Sequence, residues 1–431
     1  MIGQKTIHLC LAHMSEEGWE KKYIQEAFDT NWVVPMGPNV NAFEKELEDF
    51  LNAGMPALED HKVVCVSSGT AAVHLGLVGC GVTAGDEVIT QTFTFCASCN
   101  PIIYLGATPV LVGSEPDTWN MDPELLEQAI LDRKEKTGRY PKAIIIVALY
   151  GMPYRADAIM AVADKYGIPV VEDSAEGMGS LYDGKKLGSF GRFGVFSFNG
   201  NKMITTSGGG ALICRDQDEA NRMLWYATQA RDGYPYYHHT SIGYNYRLSN
   251  VCAGIGRGQM RILDDHLAHH RHVQHLYEEL LADVEGIHVH IQPSITNPKT
   301  GEPVYDSNYW LTAATIDPDV HVKCQENAYG QILKTAVGGV AGAVNTVDAP
   351  VTDCQPNDNV EALRTYLLDR HIEMRPVWKP MHKQPVFAGA PVYTNGVEED
   401  IFRIGFCLPT GPCVTDDDVR YIVETIKEAI G

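Results

Sequence analysis

The sequence predicts an α/β protein built on a mostly parallel sheet, with a smaller second domain after it. Three observations carry that expectation. Apolar strand-like runs alternate with helical patterns from residue 63 to residue 172, and parallel strands need such crossover helices. One run, 63–66, passes through Ser67, Ser68, Gly69 and Thr70 into a helical stretch at 71–77. Another, 168–171, ends in Glu172 and Asp173, and open α/β sheets bind ligands at the carboxyl ends of their strands.

A chain of 431 residues can hold one large domain and a smaller one, expected at 1–265 and 266–431. Hydrophobic residues make up 45% and charged residues 21%, ordinary values for a soluble enzyme. The net charge of −21 argues against non-specific binding to nucleic acid or anionic membranes. No apolar run is long enough to span a bilayer, and the N-terminus MIGQKTIHLC has no signal-peptide pattern. The expected location is cytoplasmic.

In chain order, 19–28 reads as an amphipathic helix, 31–38 as a loop punctuated by Pro35, Gly37 and Pro38, and 43–51 as a helix. The strand–turn–helix at 63–77 is an anion site in outline. Backbone N–H groups point outward at a helix start, and the helix dipole favours negative charge. Gly69 and Thr70 are its candidate residues, although Ser68 or Thr70 could also be an ordinary helix cap. The turn lacks G-K-[ST], so it is not a Walker motif. Further strands are expected at 86–90, 107–112 and 143–149, with helices at 125–130 and 156–166.

The stretch from 171 to 210 is the richest in chemistry. A short strand, 194–198, is followed by the turn Asn199, Gly200, Asn201, Lys202, and later by three glycines at 208–210. Desolvation lowers the pKa of a lysine amine, and the neutral amine attacks carbonyls. Lys202 is thus a candidate Schiff-base lysine. Asp173 is the candidate acid to pair with the ring nitrogen of pyridoxal phosphate, which makes that ring an electron sink. Alone, this aspartate and lysine would read as a helix cap and a solvated turn residue.

Their surroundings change that reading. D-S-A-E-G-x-G-S from Asp173, G-x-F-G-x-F-S-F-N-G-N-K ending at Lys202, and T-T-S-G-G-G-A after it resemble the nucleotide-sugar aminotransferases of the DegT/StrS type. The resemblance extends over nearly the whole chain and is weakest at 292–357. It implies the fold-type I, aspartate-aminotransferase-like architecture and pyridoxal 5'-phosphate as cofactor. It further implies that Phe95 stacks on the pyridine ring, that Glu176 meets the ring-hydroxyl side and that Ser197 binds the phosphate. The G-Y-N-x-R signature at 243–247 implies that Asn245 reaches the phosphate of a neighbouring subunit, hence a homodimer with shared sites. Arg247 would contact phosphate or substrate, or form a structural ion pair. The string W-K-P-M-H-x-Q-P at 378–385 is similar to the subgroup acting on UDP-linked 4-keto-6-deoxy-N-acetylhexosamines, as in bacillosamine synthesis, with Trp378, Lys379 and His382 able to line the sugar-nucleotide pocket or simply to pack.

The implied reaction transfers an amino group from L-glutamate to the sugar's keto group. A 3-keto sugar or a GDP or dTDP carrier, a dehydratase and a non-catalytic relative are the alternatives. An intact Lys202 disfavours the last two.

The 11 cysteines are scattered. Cys96 and Cys99 form a lone C-x-x-C that reads as packed residues rather than a redox or zinc site. Five histidines within 266–275 read as a solvated helix face, and no metal site is expected. One long helix is expected at 250–284, a loop at 292–308, a strand opening at 309–312, and helices at 360–370 and 416–430. The Gly- and Ala-rich stretch 325–357 suggests no role.

Overall fold

The strand that ends in Asp173 lies inside an eight-stranded sheet, in a computed structural model that describes residues 6–54, 60–328 and 354–431. In chain order the strands of the protein are β1 (Lys62–Val66), β2 (Glu87–Gln91), β3 (Thr108–Val112), β4 (Ala143–Val147), β5 (Val170–Asp173), β6 (Leu181–Tyr182), β7 (Lys185–Lys186), β8 (Phe193–Ser197) and β9 (Gly210–Cys214). Then follow β10 (Ile287–Val289), β11 (Tyr305–Asp306), β12 (Thr312–Ile316), β13 (Arg375–Pro376), β14 (Val392–Tyr393) and β15 (Gly405–Leu408). The large sheet has the order β1-β9-β8-β5-β4-β2-β3-β14. Neighbours from β8 through β14 are parallel, while β9 runs against both β1 and β8. All five residues of β4 are buried, as in a strand covered by helices on both faces. Ile145 packs with Leu75 and Val171 on one face, and Ile144 and Ile146 with Leu126 and Ile159 on the other.

The expected α/β architecture with a mixed, mostly parallel sheet is therefore the one observed. A second sheet, β10-β12-β15-β13, is antiparallel throughout. Its core joins Val273, Tyr277, Phe406 and Ile422 with Ile7 from the start of the chain. The C-terminal segment also returns β14 to the edge of the large sheet. A small third sheet pairs β11 with β6, fastening the segment before residue 307 to the β6–β7 hairpin.

Two expectations for the middle of the chain are corrected. The long helix at 250–284 is two helices, Asn250–Met260 and Leu263–Leu281, separated where Ile262 leaves helical geometry at φ −120°. The histidines do not form one solvated face. His266 and His270 are buried, and their Nδ1 atoms donate to the carbonyls of Met203 (3.1 Å) and Tyr309 (3.2 Å). Burial holds the His270 imidazole down to about 3, so it is a neutral packing group. Most of the 325–357 stretch lies outside the described residues. Among the described residues, no helix is long and apolar enough to cross a membrane.

Candidate active site

Loops at the carboxyl ends of β1, β2, β5 and β8 enclose a cavity of about 340 Å³. After β1, Ser68 caps the Gly69–Gly79 helix, its Oγ accepting the Ala71 amide at 3.1 Å. Gly69 and Thr70 form the first helical turn, where amides have no intrahelical acceptor. A side chain at 69 would crowd Ser197, because a Cβ there would stand 3.0 Å from Ser197 Cβ. Thr70 and Ser197 both line the cavity, so two hydroxyls stand beside the helix start.

Two adjacent acids at the end of β5 point to opposite duties, as alternation along a strand requires. Glu172 accepts amides from Gly188 (2.6 Å) and Phe190 (2.8 Å), pinning the chain that leads into β8. Asp173 lines the cavity instead. It accepts the Ser98 hydroxyl at 2.7 Å and the Ala175 amide at 3.2 Å. Burial pushes the Asp173 carboxyl up, against the pull of the Ser98 and Ala175 hydrogen bonds and of Lys202. Such a carboxylate gains from a cationic partner.

Lys202 sits in the turn after β8, its amide bonded to the Asn199 carbonyl at 3.0 Å. Its Nζ is 3.2 Å from Glu176 Oε1 and 3.8 Å from the centre of the Trp310 ring. Glu176 is buried, which raises its carboxyl, and its Oε2 accepts the Tyr150 amide at 2.8 Å. Phe95 is 51% exposed at the cavity rather than packed in the core. Trp378 closes the same side, its ring centre 5.4 Å from that of Phe95. Trp378 Nε1 and Asn201 Oδ1 are buried there with no partner among the described residues.

The family model for DegT/DnrJ/EryC1/StrS aminotransferases matches residues 15–326 and 325–427. The chain belongs to the DegT/DnrJ/EryC1/StrS aminotransferase family. It is 40% identical over 426 residues to EpsN of Bacillus subtilis (strain 168), whose name describes a pyridoxal phosphate-dependent aminotransferase; the match covers 98% of this chain and 95% of EpsN. It is 32% identical over 413 residues to the GDP-perosamine synthase of Escherichia coli O157:H7, covering 95% of each. The fold matches that of a Brucella abortus family member with a TM-score of 0.78 at 24% identity, over 96% of both chains. As a DegT-family protein, this chain is a pyridoxal-phosphate-dependent aminotransferase. Its residues fit the cofactor. The helix start and two hydroxyls suit a phosphate, the buried Asp173 suits a protonated ring nitrogen, and Lys202 brings its side-chain nitrogen to the same space.

Several candidates lie elsewhere. Arg247 turns from the cavity to a partly buried bidentate pair with Glu44, with Nη2 3.0 Å from Oε2, and its Nη1 also donates to the Cys65 carbonyl. Of its two readings, the structure takes the ion pair. His382 is likewise not in the cavity lining. Its Nδ1 meets Thr92 Oγ1 at 2.8 Å and its Nε2 meets Glu399 Oε1 at 2.9 Å, so it fastens the 378–385 string to β2's exit loop. Lys379 is not among the lining residues. Asn245 is exposed, bridged through its backbone to Thr228. Four residues were missed: Ser98, Tyr150, Asn308 and Trp310. Ser98 sits inside the C-x-x-C read as packing. The other three carry no motif. Among the described residues, no cluster suited to a metal ion forms.

Proposed function

We propose that this DegT-family enzyme moves the amino group of L-glutamate to a keto-sugar nucleotide, a UDP-linked 4-keto-6-deoxy-N-acetylhexosamine. One observation carries the reading: the Lys202 amine, the Asp173 carboxylate and the helix start at Gly69 open on one cavity. Pyridoxal phosphate, when bound, supplies a carbonyl that takes up amines and a ring that accepts the electron pair released at the substrate carbon. Gly69, Thr70 and Ser197 would hold its phosphate, Phe95 would cover its ring, and Glu176 would border its hydroxyl side. Asp173 keeps a proton on the ring nitrogen. Lys202 Nζ removes the proton from the α-carbon of glutamate, and in the second half-reaction it returns one to the sugar carbon that has gained nitrogen. Trp378 and Lys379 would meet the sugar nucleotide. The unpartnered Trp378 Nε1–H supports that role, since a buried donor left unsatisfied costs about 1–3 kcal/mol.

The working unit would be a homodimer in which Asn245 serves the neighbouring site. Supporting this, Asn245 is exposed close in sequence to the uncovered side chains of Tyr236, Tyr237 and Ile242, at 62%, 79% and 84%. The reading on a GDP-linked sugar is favoured by one finding, the near full-length similarity to a GDP-perosamine synthase. The test is the absorbance of the cofactor-loaded protein before and after L-glutamate, followed by UDP-, GDP- and dTDP-linked keto sugars read by mass spectrometry. Bleaching by glutamate and amination of the UDP sugar are expected. A band indifferent to glutamate overturns the donor, and amination of the GDP sugar alone overturns the carrier.

A further inference from the structure

We infer that Trp310 is the positioning residue for the catalytic lysine. Its indole face would be the resting place of the Lys202 ammonium whenever that amine is not bound to the cofactor. The inference rests on the assignment of Lys202 as the cofactor lysine.

Trp310 reaches the cavity from the second half of the chain, just before β12, and is 1% exposed. Two contacts join it to the turn that carries Lys202. Its Nε1–H donates to the Asn201 carbonyl at 2.6 Å. Its ring face lies 3.8 Å from Lys202 Nζ, well within the distance at which an ammonium is attracted to the ring quadrupole. Glu176 Oε1, 3.2 Å away, holds the amine from another direction. The ammonium is therefore held by a carboxylate and a ring, both buried, and its side chain is only 13% exposed.

The segment that places Trp310 is itself tightly built. Asn308 is fully buried, and its Nδ2 donates to the carbonyls of Glu176 and Met178, each at 2.8 Å. Its Oδ1 accepts the Trp310 amide at 2.8 Å. Gly151, at φ +89°, gives way to that side chain, since a Cβ there would lie 1.9 Å from Asn308 Oδ1. One tetrapeptide thus grips both Glu176 and the Lys202 turn. A lysine that must leave a cofactor and return in register needs such a fixed station, because small misplacements of a reacting group are costly.

The test places tryptophans of increasing fluorination at position 310 alone, by site-specific incorporation. Fluorines weaken the negative ring face and strengthen the Nε1–H donor, so the two contacts are driven in opposite directions while shape is kept. The readouts are the rate at which cofactor-free protein captures pyridoxal phosphate, followed by absorbance, and kcat against KM for L-glutamate. A stepwise fall in capture rate and kcat, reaching about tenfold for the tetrafluoro ring with KM little changed, is expected. Trp310→Phe, which keeps a ring face, should stay closer to the parent than Trp310→Leu. A flat or rising fluorine series overturns the inference, as does a folded Leu variant that matches Phe. Lys202→Ala separates the two readings: capture that survives in that variant removes the assignment of Lys202 itself.

Discussion

Four exit loops of the large sheet, after β1, β2, β5 and β8, each bring to the cavity a group with chemistry of its own: a helix start at Gly69, a hydroxyl at Ser98, a carboxylate at Asp173 and an amine at Lys202. Residues 307–310, arriving on the far side from β11, bring shape. Asn308 satisfies main-chain carbonyls, and Trp310 offers a ring. The first region is recognised by which atoms it carries. The second is recognised only by where it lies. The difference teaches that reactive groups can be spread over several loops when one rigid segment fixes their mutual distances.

The sharpest way to test the first region is to remove its amine. Lys202→Ala should lower turnover by roughly 10³-fold or more while the protein remains folded, read as loss of the glutamate-dependent spectral change. Asp173→Asn comes next. An amide cannot hold a proton on the ring nitrogen electrostatically, and turnover should fall roughly 10²-fold. Its effect on the cofactor-free protein has the opposite sign. The folded-state pKa of Asp173 is raised by burial, so the native state holds this proton more tightly than the unfolded chain. Stability from this group is lost as pH rises from its unfolded value, about 3.9, through the raised folded one. Above that window Asp173→Asn should therefore unfold at higher temperature than the parent, and below it the advantage should vanish. Calorimetry at several pH values checks this. An asparagine variant less stable at neutral pH would show that the Ser98 and Ala175 hydrogen bonds outweigh burial.

For the second region the expected loss is in stability first. Asn308→Ala strips donors from the Glu176 and Met178 carbonyls and the acceptor from the Trp310 amide. Leaving such groups buried and unpaired should cost about 3 kcal/mol in urea unfolding. If stability is kept while turnover collapses, the segment acts chemically and the contrast between the two regions fails.

The same contrast explains what could be read without coordinates. The β1 turn, the Asp173 run and the Lys202 turn stand out because Gly, Ser, Asp and Lys in those orders are unusual between apolar strands. The alternation of strands and helices foretold the sheet because burial on both faces demands continuous apolar runs such as 143–147. Asn308 and Trp310 could not be foreseen. Their partners, Glu176, Met178 and Asn201, lie more than a hundred residues away, and a buried asparagine looks like any loop asparagine until its acceptors are known. Ser98 was hidden for another reason, since the cysteines flanking it drew the reading toward packing. His266 and His270 were misread because a histidine on a helix carries no mark of which face is covered.

Arg247 shows how the ambiguous cases divide. The guanidinium belonged equally well to a substrate contact or an ion pair, and the structure pairs it, partly buried, with Glu44. Arg247→Ala should lower stability by roughly 3 kcal/mol, because the partner charge is left unpaired, and should leave KM for both substrates within about twofold. A KM effect without a stability effect would return Arg247 to the substrate. The smallest effect is expected at His382, which holds the 378–385 string between Thr92 and Glu399. His382→Gln preserves part of that hydrogen bonding and should cost about 1 kcal/mol at most. Because Trp378 rides on the same string, the loosened loop should raise KM for the sugar nucleotide a few-fold and leave the glutamate half-reaction untouched. That split, measured by single-turnover kinetics of each half, tests the proposed place of this string beside the sugar nucleotide against a place at the cofactor.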